Sequence, residues 1–251
     1  MADVRGPEAL DRDHQRLYAA EAGLYDAHRF SFRRGRLYHA LELQMILDRL
    51  APLDGKRVLV VATGTGRIAL GLSAAGARVV GADLTCAMLD AARAKQRQED
   101  LAGPVWVNTN GRALAFPDHA FDIVTCVRFL HLLPVPDWAG FLDEMRRVLK
   151  PGGLLMLELF NPMYGGPLSP LRQLSRRARG QPGERCVWPW QLTRTLRGYH
   201  IESVSSFWLP GMGLVGDERS ALFYSAGRWC GRSPLKWLAG PFLVLARPER
   251  D

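Results

Sequence analysis

One stretch, residues 57–76, constrains this chain more than any other. The apolar run Val58 to Ala62 leads into Gly64-Thr65-Gly66-Arg67-Ile68-Ala69, and Ile68, Leu70 and Leu72 then recur at helical spacing until Gly76 closes the segment. A continuous apolar run, two closely spaced glycines and a helix form a strand–turn–helix unit whose small residues let the backbone approach a ligand. The next apolar segment, residues 78–81, is followed by Asp83, which puts an acid at the tip of a second strand. Read literally this is G-x-G-x-x-A and an acid, the pattern of dinucleotide-binding turns. The physics serves any ribose-bearing ligand, because a carboxylate at that tip can accept both ribose hydroxyls.

The alternation extends in both directions. The spacing predicts a helix over 36–50, a turn at Asp54-Gly55, strands over 58–62 and 78–81, and a helix over 65–75. It continues with a Thr85-capped helix to about 98, strands over 105–108 and 121–127, a helix over 137–149 closed by Lys150-Pro151-Gly152-Gly153, and a strand over 154–160. Strand and helix at this cadence predict an α/β, Rossmann-like, mostly parallel sheet with helices on both faces, and strands buried on both faces read as continuous apolar runs. After Phe160 the rhythm breaks into a Pro/Gly-rich segment carrying Arg172, Arg176, Arg177 and Arg179, before a helix over 188–197 and strands over 201–209 and 242–246. No repeat appears, and the chain reads as a single domain.

Composition narrows the class. The formal charge is +8, yet only four of the 33 basic residues are lysine, a bias that with abundant Ala, Gly and Leu points to genome composition rather than to a nucleic-acid surface. The longest apolar runs are too short to span a bilayer. The opening MADVRGPEALDRDHQR carries acids and no apolar h-region, so a cytoplasmic protein without a leader is expected. Cys86, Cys126, Cys186 and Cys230 show neither zinc nor redox spacing, and no metal is expected.

Four segments in order decide between ligands: ValLeuValValAlaThrGlyThrGly (58–66), ValValGlyAlaAspLeuThrCysAlaMetLeu (79–89), AlaPheProAspHisAlaPheAspIleVal (115–124) and ArgArgValLeuLysProGlyGlyLeuLeuMet (146–156). Over residues 58–162 the chain resembles the class I S-adenosylmethionine (SAM)-dependent methyltransferases, specifically the type 11-like group acting on small molecules. The resemblance implies a seven-stranded sheet ending in an antiparallel β6/β7 pair, with SAM as cofactor, S-adenosylhomocysteine as product, and no metal. It divides the chain into an N-terminal helical lid (1–52), a cofactor-binding core (53–160), a substrate-facing insertion with strand six (161–240), and the last strand and tail (241–251). It places Ala62, Gly64, Thr65 and Gly66 along the aminoacyl part of SAM, Asp83 on the ribose and Leu84 on the adenine. Asn110 and Gly111 would hold the adenine edge, with Val127 and Arg128 beside the methionine portion. One departure stands out: the family's usual acid in the first strand is Val60 here.

SAM is already a good methyl donor, so alignment is the main task and a base is needed only for a protonated acceptor. His131, just past the fourth strand, and Tyr25 are the candidate catalytic residues. Tyr25, His28, Asn161, Tyr164 and Trp208 are the candidate substrate contacts, and the aromatics around the second half favour a planar or apolar acceptor. The expected reaction is methyl transfer to oxygen or nitrogen of a small metabolite in bacterial specialised metabolism, by a chain free of membrane and nucleic acid and able to dimerise. Two alternatives stay open: a nucleic-acid methyltransferase using the arginines of 172–179, and a non-methylating relative that binds SAM or catalyses a cyclisation or elimination, which Val60 favours. Asn161-Pro162-Met163-Tyr164 follows the fifth strand rather than the fourth and does not match the NPPY motif of nucleic-acid amino-methyltransferases.

Overall fold

The computed structural model describes residues 7–98, 103–162, 185–206 and 240–249, with the single positions 171, 174, 225 and 229. Three helices come first, α1 (Pro7–Glu21), α2 (Tyr25–Phe30) and α3 (Arg33–Leu50). Strands and helices then alternate: β1 (Arg57–Val61), α4 (Arg67–Ala74), β2 (Arg78–Asp83), α5 (Cys86–Gln98) and β3 (Val105–Asn108). Next come β4 (Phe121–Cys126), α6 (Trp138–Val148), β5 (Leu149–Leu159), α7 (Leu192–Thr195), β6 (Tyr199–Ser206) and β7 (Phe242–Pro248). The seven strands lie in the order β3-β2-β1-β4-β5-β7-β6. The pairs among β3, β2, β1, β4 and β5 are parallel, while β7 runs antiparallel between β5 and β6.

Each strand feeds two cores. In β1, Val58 and Val60 pack with Leu41, Met45 and Ile46 of α3 and with Leu72 of α4, whereas Leu59 and Val61 pack with Phe141, Leu142 and Met145 of α6. Strict alternation of direction with apolar residues at every position is what a doubly covered sheet requires. In register, Val61 lies beside Ala82 of β2 and Cys126 of β4. The strand order reverses at β1 and β4, so their carboxyl ends open a crevice, the usual place for a ligand in such sheets.

Several boundaries differ from the sequence expectation for local reasons. β5 starts at Leu149 because Leu149 pairs with Phe121 across a register shift, which takes Lys150-Pro151-Gly152-Gly153 into the strand with Gly152 at φ +74°. The helix expected over 188–197 is a 3₁₀ turn, Pro189–Gln191, and the short α7. There the Gln191 side chain accepts the Trp188 N–H, and proline has no amide to donate. The last strand runs two residues further, to Pro248. Among the described residues no helix is long and apolar enough to cross a membrane.

Candidate active site

The loop between β1 and α4 is built from left-handed turns: Ala62 at φ +53°, Gly64 at +55° and Gly66 at +78°. Glycine adopts these values freely, while alanine does so at a cost of about 1–2 kcal/mol. At Gly66 a side chain is also excluded by contact, since a Cβ would come within 2.4 Å of the Trp106 ring. A Cβ on Gly64 would meet nothing, and Gly64 lies on the wall of a cavity that opens to solvent. Asp83 braces the loop: its Oδ2 accepts the Gly64 N–H at 2.7 Å and its Oδ1 accepts the Thr85 N–H at 2.9 Å. Burial pushes the Asp83 carboxyl above the usual range, against the pull of those backbone donors.

Of the residues expected at the cofactor, Ala62, Gly64, Asp83, Leu84, Asn110, Gly111 and Arg128 line this cavity, as does Tyr25 of α2. Gly111 also serves packing, because a Cβ there would sit 2.7 Å from the Phe141 ring. The remaining candidates stand elsewhere. The Thr65 hydroxyl donates to Asp26 of α2 at 2.7 Å, and Lys95 of α5 donates to the Thr65 carbonyl at 3.0 Å and pairs with Asp26, so this side chain ties α2 to the loop. Gly66 shapes the start of α4, and Val127 is buried in the α3/α4 core. His28 is exposed on α2. Asn161 is fully buried at the end of β5 and is not on the cavity wall. Tyr164, Trp208 and the arginines at 172, 176, 177 and 179 lie outside the described residues.

His131 is buried behind the wall, its ring 4.5 Å from that of Phe160. Burial, with the charges of Arg128 and Arg29, pushes its pKa down to about 3, which keeps the imidazole neutral over the physiological range. Tyr18 moves the other way, pushed up to about 12 by burial and by Tyr25.

What local pattern did not reveal is the role of α1. Asp11, His14, Gln15 and Tyr18 fall at i, i+3, i+4 and i+7, one helical face, and all four line the cavity. Gln15 donates to the Leu84 carbonyl at 3.1 Å, and Asp11 accepts from the Asn110 amide at 3.1 Å, while the Asn110 Oδ1 takes the Arg112 N–H at 2.9 Å. The N-terminal half of α1 therefore sits over the Leu84–Asn110 end, and Tyr18 reaches Tyr25, with ring centroids 6.2 Å apart, at the other end. The available signal was polar: a helix whose ligand-facing stripe is Asp, His, Gln and Tyr does not show an apolar face.

At that second end lies a charged cluster. Arg128 follows β4 in the left-handed region, φ +58°, and its guanidinium packs on Tyr38 at 5.0 Å and Phe30 at 5.5 Å. Below it Glu42 and Glu158 are fully buried; Arg67 pairs with Glu42, and the Tyr38 hydroxyl donates to Glu158 at 2.7 Å. Burial, and then the neighbouring Glu42 charge, raises the Glu158 pKa. Burial alone would lower that of Arg128, but Tyr38, Glu42 and Glu158 outweigh it and keep the guanidinium charged.

The wall fits a nucleoside-bearing cofactor. A carboxylate stands at the tip of β2, a bare glycine opens on the cavity, and polar groups gather at one end. Residues 59–157 match the family model described as a methyltransferase domain. Over 129 residues the chain is 39% identical to the ubiquinone/menaquinone biosynthesis C-methyltransferase UbiE of Paracoccus denitrificans, covering 50% of each. Over 108 residues it is 38% identical to the demethylmenaquinone methyltransferase of Clavibacter sepedonicus, covering 43% of this chain and 42% of that one. The chain thus spans about half the length of the curated relatives it matches. Among solved structures, the magnesium protoporphyrin IX methyltransferase of Synechocystis PCC 6803 with bound S-adenosylhomocysteine superposes with TM-score 0.65 at 16% identity, covering 94% of this chain and 99% of that one. The [4+2]-cyclase SpnF gives 0.68 at 19% identity, covering 96% and 97%. At such identities the likeness is one of fold. A sheet of this order, with the match to the methyltransferase-domain model lying in its ligand-binding half, gives the chain the fold of these methyltransferases.

Proposed function

We propose that the chain transfers a methyl group from SAM to a small planar acceptor, at a ring carbon activated by an adjacent oxygen. The observation that carries this is the cavity in which Asp83 and Gly64 meet residues of α1 and α2. Support for carbon over the oxygen or nitrogen expected from the residues comes from the relatives described as a C-methyltransferase of ubiquinone/menaquinone biosynthesis and a demethylmenaquinone methyltransferase.

When bound, SAM supplies a methyl group activated by its sulfonium. Asp83, half-buried and fixed by two backbone N–H groups, would accept the ribose hydroxyls. The Asp11–Asn110 pair takes the adenine amino group, and Leu84 covers the ring. The lid residues Tyr18 and Tyr25 exclude water from the end of the cavity next to Arg128. Holding nucleophile and methyl in line supplies most of the acceleration, since oriented intramolecular reactions reach effective molarities of about 10⁵–10⁸ M. With its pKa near 3, His131 is a poor proton acceptor from an acceptor hydroxyl. Tyr25, on the wall, is the better placed of the two catalytic candidates.

The test pairs binding with turnover. Calorimetry should show micromolar binding of S-adenosylhomocysteine and none of NADH, with Asp83→Ala weakening the former at least tenfold. Radiolabelled SAM should then methylate demethylmenaquinol on carbon, and catechol on oxygen poorly. Cofactor binding without methylation of either acceptor would sink this reading in favour of a cyclising or eliminating relative, the alternative that the buried Val60 supports.

A further inference from the structure

Helix α1 brings to the cavity a titratable side chain that has no part in the cofactor contacts above. The helix runs along the cavity: Asp11 meets Asn110, Gln15 meets the Leu84 carbonyl, and Tyr18 meets Tyr25. His14 lies one turn after Asp11 and one before Tyr18, about 4.5 Å and 6 Å along the axis, and lines the middle of the same face. The strand tips carrying Gly64 and Asp83 supply another wall. A second molecule lying between the bound cofactor and α1 is therefore flanked by His14.

The other ionisable groups on the described wall are committed elsewhere. Asp11 accepts from the Asn110 amide and pairs with Arg112 at 3.5 Å, and Asp83 is fixed by the Gly64 and Thr85 N–H groups. Burial pushes Tyr18 up to about 12, so its hydroxyl keeps its proton at neutral pH, and Arg128 stays charged. Tyr25 is held between Tyr18 and the Arg29 guanidinium, which lies 4.6 Å over its ring. His14 is half-buried, with its ring 6.3 Å from that of Tyr18, and among the described residues neither of its nitrogens has a hydrogen-bond partner. Burial lowers its pKa below the ordinary 6.5, and the charges of Asp11 and Asp13, which pull the other way, do not restore it. At neutral pH the ring is uncharged and one nitrogen carries an open lone pair, which is what a proton acceptor needs.

We propose that His14 is a catalytic residue, the proton acceptor for a ring hydroxyl of the methyl acceptor; this rests on the methyltransferase reading. His14 takes the hydroxyl proton, the oxygen's electron pair moves into the ring, and the adjacent carbon forms its bond to the methyl group. The methyl–sulfur bond breaks with both electrons going to sulfur, which leaves as the neutral thioether. The methylated carbon then releases its hydrogen to solvent as a proton, the ring regains its aromatic electrons, and the His14 imidazolium returns a proton to the oxygen. One proton is released overall, and the step needs neither oxidant nor reductant.

The experiment uses the full chain with His14→Gln and His14→Ala. Calorimetry is run with S-adenosylhomocysteine, and single-turnover rates are measured anaerobically with radiolabelled SAM and demethylmenaquinol from about pH 6 to 10. Both variants should bind S-adenosylhomocysteine within about threefold of wild type, which shows them folded, while the rate near neutral pH falls about 10²–10⁴-fold. In wild type the rate drops as the pH falls through the His14 pKa, because only the neutral ring accepts a proton. The variants lack that step, and their deficit closes as the pH approaches about 10, where a phenolic hydroxyl ionises unaided. Imidazole in the buffer restores part of the His14→Ala rate, a rescue that a packing role does not give. A rate within about threefold of wild type in both variants, a deficit constant across pH, or a loss of S-adenosylhomocysteine affinity matching the loss of rate would overturn the proposal. Failure of the wild-type chain to bind S-adenosylhomocysteine or to methylate demethylmenaquinol would instead overturn the reading beneath it.

Discussion

Ala62 carries a conformational cost that its neighbours Gly64 and Gly66 do not, with φ at +53° on a residue bearing a Cβ. Relieving it is a clean test of the loop geometry. Ala62→Gly is expected to stabilise the chain by about 0.5–1 kcal/mol, the left-handed strain relieved less the extra unfolded-state freedom of glycine, measured by urea unfolding. A destabilisation would mean that the loop adopts another conformation. At this scale Asp83 was legible, because strand, acid and glycine loop lie within some twenty residues and local sterics link them. His131 was legible only as a position past β4. Whether a histidine there faces the cavity or the core depends on Phe160, a residue just past the end of β5.

Among the elements, α2 is tied down lightly. Asp26 joins α2 to the loop through Thr65 and to α5 through Lys95, and the ion pair is partly exposed, with 26% and 37% of its side chains accessible. Pairs of that exposure contribute about 0.2–1 kcal/mol. Asp26→Ala should therefore raise the dissociation rate of S-adenosylhomocysteine about two- to fivefold in stopped flow and speed proteolysis within residues 7–30, with the sheet unaffected. An unchanged off-rate would detach the lid from ligand retention. The sequence marked 1–52 as a helical lid in outline, but α1 and α2 were not individually readable. The α1 stripe over the cavity is polar, and α2 has only six residues, too few for periodicity.

Over the whole molecule, two cores meet across the sheet, and the Glu42–Glu158 pair is buried at their upper edge. Because burial pushes the Glu158 pKa up to about 8 from the ordinary 4.5, the folded state binds this proton more tightly than the unfolded chain. Its contribution is fully present below about pH 4.5 and is lost as the pH rises through about 8. Across that window the unfolding free energy of Glu158→Gln relative to wild type should rise with pH and then level off, as followed by urea titrations at fixed pH. A constant difference from pH 5 to 9 would mean that Glu158 is ionised in the fold at neutral pH.

The sequence by itself determined the mostly parallel sheet, the helices that cover it, the glycine loop and the acid at the tip of β2. Each is written in short-range terms: apolar runs dictated by burial on two faces, and glycines dictated by backbone sterics. The tertiary structure alone decided which distant groups share the cavity and its floor. Asn110 meets Asp11 across 99 residues, Gln15 meets Leu84 across 69, and Tyr38 meets Glu158 across 120. No periodicity records such pairs. They arise where packed layers bring polar side chains together, and a buried polar group must find a partner wherever the fold places one.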